Sequence, residues 1–135
     1  MHTVHYDVVE RYRQTNQGLV VPVTLRSSRN DEVRLEAKLD TGAGYCIFER
    51  QYGESIALDV EHGIPMKFST VNGEFLAFGH EVTLIALGIE LDGICYFYKD
   101  EAISKNVLGG IGWLNKVRVG ADDTQSPGLI YAVQP

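Results

Sequence analysis

Hydrophobic and polar residues alternate along much of this chain, which is the pattern of a strand with one buried face. Over residues 33–39, apolar residues occupy every second position and charged residues occupy the positions between them. An apolar run at 18–25 precedes this segment, and a polar turn sequence at 27–31 separates the two. These residues predict a first hairpin, in which Pro22 confines the earlier strand to an edge or a bulge.

The middle of the chain predicts one short helix and a long hairpin. Residues 45–48 are apolar enough for a buried strand, and the four-residue spacing of the apolar positions after them predicts a helix over about 49–57. Residues 64–87 return to a strand pattern, interrupted at Asn72-Gly73. Asn-Gly between β-forming residues is a strong hairpin signal, because a type I′ turn needs positive φ at both central residues.

The last third of the chain predicts further short strands. Residues 82–87 and 94–98 are expected to pair around a turn at 88–93 that includes Asp92-Gly93. A charged loop at 99–106 leads to an apolar, glycine-rich segment at 107–114 that begins apolar-apolar-Gly. Strands are expected at 116–119 and 129–133, with a turn at Ser126-Pro127-Gly128 between them. The chain is therefore expected to be all-β with few helices.

Composition narrows the class of protein. A length of 135 residues and a mass of 15.0 kDa predict a single domain over 1–135. The formal charge of −6, with scattered basic residues, argues against nucleic acid as a partner. Without a signal-peptide pattern or an apolar stretch that could span a membrane, a cytoplasmic protein with no membrane partner is expected. Cys46 and Cys95 are expected to be reduced, buried packing residues.

One short motif carries candidate chemistry. The alternating strand at 33–39 delivers Asp40 directly into Thr41, Gly42 and Ala43. A glycine allows the backbone to approach another group closely, and a threonine hydroxyl can hydrogen-bond across a loop to lock it. Asp-Thr-Gly by itself is a weak signal, because Asp-x-Gly is ordinary turn chemistry.

The order of the elements after this motif resembles the retropepsins, the single-domain aspartic proteases of retroviral type. In that family the Asp-Thr-Gly loop is followed by a flap hairpin that closes over substrate and then by an apolar-apolar-Gly segment that packs beneath the active-site loop. The resemblance covers about residues 18–120, with 1–17 as an N-terminal extension, and implies a closed or partly open β-barrel with a flap and one or two short helices. It assigns support of the active-site loop to Val107, Leu108 and Gly109. The residues it assigns to the flap and to substrate binding are Ser69, Thr70, Val71, Asn72, Gly73 and Phe75.

The resemblance implies a homodimeric aspartic endopeptidase. This chemistry needs two carboxylates that share one proton and a water molecule, whereas the chain has one Asp-Thr-Gly. Asp40 from each of two subunits is therefore expected to meet at a two-fold axis, with an extended peptide or protein as substrate. The alternative is a non-catalytic retropepsin-like domain that dimerises or binds a peptide.

Two positions depart from the family pattern, and other candidate sites are weaker. Gly44 stands where the family commonly has Ser or Asp, and Gly110 stands where many members have a charged residue. The charged segment at 59–62 is an unlikely metal site because neighbouring side chains on an extended segment splay apart. The glycines at 109–112 lack the spacing of a phosphate-binding loop. No metal and no cofactor are expected.

Overall fold

The structure is a computed structural model that describes residues 8–12, 14–15, 18–71, 73–122 and 128–133. This part of the chain is built mainly of strands, so the all-β prediction is confirmed. One short α-helix, α1 (Arg50–Ser55), and two 3-10 helices, Val60–His62 and Leu114–Lys116, accompany the strands. The strands are β1 (Val8–Tyr12), β2 (Gln14–Thr15), β3 (Gly18–Arg26), β4 (Glu32–Leu39), β5 (Ile47–Phe48), β6 (Ile64–Thr70), β7 (Gly73–Ala86), β8 (Ile89–Tyr98), β9 (Val107–Leu108), β10 (Arg118–Asp122) and β11 (Gly128–Val133).

Most of the strands belong to one sheet that closes on itself. Its order is β2-β3-β4-β9-β5-β8-β7-β6, and an additional antiparallel pairing between β3 and β7, the second strand from each end, closes a ring of six strands. Closure gives the inner strands a hydrogen-bonded neighbour on both sides, so few unpaired edges remain. A smaller sheet has the order β1-β11-β10.

The first hairpin forms as predicted. β3 and β4 pair antiparallel from Val20 opposite Lys38 to Arg26 opposite Glu32. Pro22 is exposed and lies just outside the β3–β7 pairing, which begins at Val23. The missing N–H of the proline therefore costs no hydrogen bond to β7, as the edge prediction requires.

The predicted turn at Asp92-Gly93 is wrong. β7 and β8 pair continuously from Ala77–Tyr98 to Ala86–Ile89, so Asp92 and Gly93 lie inside β8. The turn consists of Leu87 and Gly88, with φ of 52° and 74°. Leu87 adopts this conformation, which is uncommon for its residue type, while its side chain is buried in the core.

The predicted long hairpin is present, but its turn lies one residue earlier than expected. β6 and β7 pair from Ile64 opposite Gly79 to Thr70 opposite Gly73, so Gly73 is the first residue of β7. Its φ of +123° is a conformation that glycine adopts without strain. Asn72 lies outside the described residues. Residues 64–70 and 73–79 are called the hairpin arm below.

Several other elements begin or end at residues that differ from the predicted ones. The helix predicted over 49–57 is α1, which is shorter at both ends, and only the last two residues of the strand predicted at 45–48 form β5. The strand predicted at 116–119 begins instead at Arg118, because Lys116 closes a 3-10 turn onto the Trp113 carbonyl. The last strand, β11, is confirmed to within one residue, whereas Ser126 and Pro127 of the predicted turn lie outside the described residues.

The interior contains two hydrophobic clusters. The larger lies inside the ring and includes fully buried Trp113, Phe48 and Phe97. Cys46 and Cys95 are buried and unbridged, which confirms the prediction for both. The smaller cluster lies under the hairpin arm. Among the described residues, no helix is long and apolar enough to cross a membrane.

Candidate active site

Asp40 directly follows β4, and two main-chain hydrogen bonds hold its backbone in place. The Asp40 amide donates to the Leu108 carbonyl (3.1 Å), and the Asp40 carbonyl accepts from the Ala43 amide (3.2 Å). The side chain is half-buried, and its Oδ1 accepts a hydrogen bond from the Gly42 amide (2.9 Å). This short turn fixes the direction in which the carboxylate points, because one of its oxygens is bound to the loop itself.

The rest of the Asp-Thr-Gly loop is open to solvent. Thr41, Gly42 and Gly44 are exposed, and Ala43 is half-buried. A Cβ at Gly42 would lie 3.3 Å from Oδ1 of Asp40, closer than most Cβ contacts, so glycine leaves the carboxylate unobstructed. The loop can therefore present the carboxylate and main-chain groups to a second molecule.

β9 supports this loop from beneath. It pairs parallel with β4, with Val107 opposite Lys38 and Leu108 opposite Leu39, and antiparallel with β5 on its other side. A Cβ at Gly109 would lie only 2.2 Å from the Tyr45 carbonyl oxygen, so this crossing requires glycine. The predicted supporting residues therefore lie against the predicted active-site loop.

Main-chain hydrogen bonds continue this contact past Gly109. The Gly110 amide donates to the Ala43 carbonyl (2.9 Å), and the Ile111 amide donates to the Gly44 carbonyl (2.8 Å). Gly44 and Gly110 are the two positions at which the sequence departs from the family pattern. In this chain, backbone pairing joins the segments that carry these two glycines.

An aromatic cluster connects the segment after the Asp-Thr-Gly loop to the hairpin arm. Tyr45 makes edge-on contacts with Phe68 of β6 (5.6 Å between ring centroids) and with Tyr96 of β8 (5.3 Å). Phe68 stacks on Phe75 (5.2 Å), which also contacts Tyr98 (5.2 Å). The sequence analysis singled out Phe75 but missed the other four rings. Aromatic residues at alternate positions of β8 and on both strands of the arm were the available signal.

Residues predicted for the tip of the arm are largely solvent-facing. Ser69, Thr70, Val71 and Gly73 are exposed, and the Val71 side chain has a relative exposure of 102%. The Thr70 hydroxyl donates to the Gly73 carbonyl (3.1 Å), which ties the two strands together near the tip.

A groove of about 620 Å³ lies between the arm and the loop that precedes β9. Its apolar part is formed by Phe75, Leu76 and Ile103, and charged residues complete its lining. These charged residues, none of which the sequence analysis singled out, are Glu74, Lys99, Asp100 and Glu101.

Polar contacts hold the loop at 99–106, which forms the side of the groove opposite the hairpin arm. Asn106 exchanges two hydrogen bonds with Glu49: its Oδ1 accepts from the Glu49 amide (2.9 Å), and its Nδ2 donates to Glu49 Oε2 (2.5 Å). The Arg50 guanidinium donates to the Lys99 carbonyl (3.1 Å). Both ends of the loop at 99–106 are thereby attached to the start of α1.

Burial and contacts change the ionisation of nearby side chains. Burial raises the pKa of Tyr98 to about 12, and the neighbouring Glu49 carboxylate adds to the increase. A hydrogen bond between the two thiols lowers the pKa of Cys46 and raises the pKa of Cys95, and burial raises the Cys95 pKa further. Cys46 Sγ also lies 4.0 Å from the Gly109 carbonyl oxygen, so this thiol pair packs directly behind the supporting segment.

The whole arrangement can be compared with solved structures. The chain superposes with a TM-score of 0.65 on the crystal structure of a retropepsin-like aspartic protease from Rickettsia conorii, at 17% identity, over 91% of this chain and 96% of that chain. The fold is retropepsin-like. EIAV protease complexed with the inhibitor HBY-793 has the same type of fold, with a TM-score of 0.52 and 18% identity over 78% of this chain and 88% of that chain.

These similarities establish the retropepsin-like fold, and sequence comparison adds nothing to them. No protein-family model matches the chain, and no curated protein sequence is similar to it. Within this retropepsin-like fold, the chain's Asp-Thr-Gly lies on the loop that β9 supports and that Tyr45 connects to the hairpin arm. Among the described residues, no group of three His, Cys, Asp or Glu side chains could hold a metal ion.

Proposed function

We propose that this chain is an aspartic endopeptidase that acts as a homodimer and uses Asp40 from each subunit. The observation that carries the proposal is the position of Asp40. It lies on a glycine-containing turn, half-buried, with one oxygen bound to the Gly42 amide, in a retropepsin-like fold. A carboxylate that is oriented by main-chain groups and open on one side is suited to act on a substrate rather than to stabilise the interior.

Two such carboxylates at a two-fold axis would share one proton, because like charges at contact do not both ionise. The ionised Asp40 takes a proton from a water molecule, and that water attacks the scissile carbonyl carbon. The protonated Asp40 of the partner subunit donates a hydrogen bond to the carbonyl oxygen as the tetrahedral intermediate forms. Collapse of this intermediate breaks the C–N bond, and the amine leaves with a proton from the dyad.

The hairpin arm is the proposed flap. Val71 at its tip is fully exposed, so its apolar side chain is available to contact a substrate beneath the arm. A substrate in an extended conformation would add as a strand beneath the arm and be enclosed by it. The groove beside Phe75 and Ile103 is then a candidate recess for a substrate side chain.

The test is cleavage of a diverse peptide mixture, with products identified by mass spectrometry, from about pH 4 to about pH 7.5. We expect cuts that disappear in Asp40→Asn and persist in Asp31→Asn, a matched change at an exposed turn position. Ala43 has no hydroxyl to stabilise the ionised dyad, so we expect the optimum at mildly acidic to neutral pH. A dimeric sample that neither cuts peptides nor binds a statine-type transition-state mimic would instead favour the peptide-binding module.

A further inference from the structure

The groove beside the hairpin arm carries more negative than positive charge. Glu74, Asp100 and Glu101 place three carboxylates around it, against the single ammonium group of Lys99, so its lining has a net charge of −2. In the part of the chain that the structure describes, none of these four groups takes part in an ion pair. The negative charge of the groove is therefore left for another molecule to neutralise.

Apolar side chains form the wall behind these charges. Phe75, Leu76 and Ile103 line the groove, and each of them is half-buried. Phe75 and Ile103 also pack against the smaller hydrophobic cluster, so this wall is continuous with the interior. The groove volume of about 620 Å³ is within the range of sites that hold small ligands. A side chain that suits this lining has a long apolar stem and a positively charged end, as lysine and arginine do.

We infer that the groove binds a lysine or arginine side chain of the peptide substrate and gives the enzyme a preference for basic peptides. The inference rests on the proposed function, in that the bound peptide is the one that is cleaved. The methylene groups of the basic side chain pack on the apolar wall, and its charged end meets the carboxylates. An acidic side chain would meet like charges in the same place.

A strand edge beside the groove favours a peptide over a small free cation. β8 pairs with β7 only from Ala77 onwards, so before that residue one edge of β7 has no strand partner among the described residues. On this edge the Leu76 carbonyl accepts a hydrogen bond from the Lys99 amide (2.9 Å). Main-chain groups alternate in direction along a strand, so the N–H and C=O of Glu74 face the same way. An extended peptide can hydrogen-bond there while its side chain enters the groove.

The acidic side of the groove is already held in place without a ligand. Asp100 Oδ1 accepts a hydrogen bond from the Ala102 amide (2.8 Å), and the Asp100 carbonyl accepts one from the Ile103 amide (3.3 Å). Together with the contacts of Arg50 and Asn106 described above, these bonds fix the loop opposite the arm. A preformed groove loses little conformational freedom when a side chain binds, which favours binding.

The groove is connected to the candidate active site by the aromatic cluster. Phe75 lines the groove and stacks on Phe68 (5.2 Å), and Phe68 contacts Tyr45 (5.6 Å), which follows the Asp-Thr-Gly loop. An extended peptide advances by about 3.4 Å per residue, so a few residues span two such contacts. The basic side chain is therefore expected a few residues away from the bond that is cleaved.

The specificity of cleavage tests the charge of the bound side chain. A peptide that the wild type cuts is resynthesised with arginine, glutamine or glutamate at each flanking position in turn, and kcat/KM is measured. One exposed ion pair contributes up to about five-fold, so with several carboxylates we expect arginine to exceed glutamate by about ten-fold at one position. Equal values for the three peptides at every position would overturn the inference.

Charge reversal assigns this preference to the groove. Glu74→Lys and Glu101→Lys should each reduce the arginine-to-glutamate ratio by about five-fold or more. The control Glu81→Lys makes the same charge change at an exposed position of β7 outside the groove and should keep the wild-type ratio. The wild-type preference should also shrink at about 1 M salt, because exposed charges are screened. Groove variants that keep the wild-type ratio, a control that loses it, or a salt-independent ratio would refute binding through these carboxylates.

Binding can be tested without catalysis, because one subunit supplies the whole lining of the groove. The acetylated pentapeptide Ala-Ala-Arg-Ala-Ala is titrated into isotope-labelled Asp40→Asn protein and followed by NMR, beside the peptides with glutamine or glutamate at the centre. We expect saturable shifts of the Phe75, Leu76 and Ile103 amides, with binding of the glutamate peptide weaker by about five-fold or more. Shifts elsewhere only, or equal affinities for the three peptides, would contradict the inference.

The two experiments distinguish failure of the groove from failure of the proposed function. A wild-type protein that cuts peptides without regard to charge keeps the endopeptidase and overturns the groove. A protein that binds the arginine peptide in the groove but cuts nothing supports the groove as a binding site for basic peptides and refutes the endopeptidase. Circular dichroism of every variant confirms that a negative result comes from a folded chain.

Discussion

Replacing Gly109 with alanine should destabilise the protein more than any neighbouring glycine substitution. A Cβ at this position would lie 2.2 Å, 2.6 Å and 2.8 Å from the carbonyl oxygen, carbonyl carbon and nitrogen of Tyr45. Ordinary contact begins at 3.4 Å, so the two main chains would have to separate by about 1.2 Å at the oxygen. All three atoms belong to the backbone, so no side-chain rotation relieves the overlap.

The expected loss of stability follows from the fact that only backbone atoms are in contact. Overpacking typically costs 1–3 kcal/mol when side chains can adjust, and we place Gly109→Ala at the upper end, about 3 kcal/mol. For a domain of this size that corresponds to a fall in Tm of about 10 °C. Separation of β9 from Tyr45 would also displace the support of Asp40, so peptide cleavage should be lost before the fold is.

Urea unfolding measures the change, followed by the fluorescence of Trp113, the single tryptophan in the sequence, which is fully buried. Two neighbouring glycines are matched controls, because a Cβ at Gly44 meets nothing within 4 Å and one at Gly110 meets its nearest atoms at 3.6 Å. Alanine at either control position should change the free energy of unfolding by less than about 1 kcal/mol. A Gly109→Ala protein as stable as Gly44→Ala would refute the close approach of β9 to Tyr45.

Three further predictions concern the surroundings of the site. Asn106→Ala removes two hydrogen bonds to Glu49 and should lower the free energy of unfolding by about 1–3 kcal/mol, measured in urea. The Tyr98 pKa is raised to about 12 in the folded state from a model value of 10, so folded protein retains a proton that unfolded protein loses. Stability should therefore fall between about pH 10 and about pH 12, and Tyr98→Phe should flatten that fall in a pH series of urea midpoints. Cys46 and Cys95 are buried, so neither should react with an aromatic disulfide reagent until urea unfolds the chain, and rapid labelling of the native protein would contradict their packing.

Local patterns in the sequence predicted the first hairpin and the position of Asp40 because both depend on neighbouring residues. The alternation at 33–39 defines a buried face, and the polar residues at 27–31 form the turn before it. Ser27 shows why such residues suffice: its hydroxyl oxygen accepts hydrogen bonds from the amides of Arg29 and Asp31, both at 3.3 Å. No distant contact is needed to explain this segment.

The turn between β7 and β8 was predicted wrongly because pairing outweighed local preference. Asp92-Gly93 has ordinary turn residues, but in the observed register Asp92 lies opposite Thr83 and accepts its hydroxyl hydrogen bond (2.6 Å). The turn moves to Leu87-Gly88, where burial of the leucine favours the shift. The position of this turn depends on strand pairing around the whole ring, so the residues within the turn do not predict it.

The candidate site was predicted only in part, because its contacts, like the turn between β7 and β8, depend on residues that are distant in the chain. The Asp-Thr-Gly sequence and the apolar-apolar-Gly segment are visible as motifs, whereas their contact depends on β9, a strand of two residues inserted between β4 and β5. Too short to show any periodicity, β9 is defined by its neighbours. The aromatic contacts of Tyr45 arise likewise from residues distant in the chain.

The hairpin arm is joined to the ring in a way that leaves its length free to evolve. β8 supports β7 only from Ala77 onwards, so residues 67–70 and 73–76 form a two-stranded extension outside the closed sheet. Inserting or deleting two residues in each strand there would move the tip by about 6.8 Å and keep every remaining side chain on its original face. Natural selection can therefore adjust how far the arm extends from the ring without altering the strands that hold the domain together.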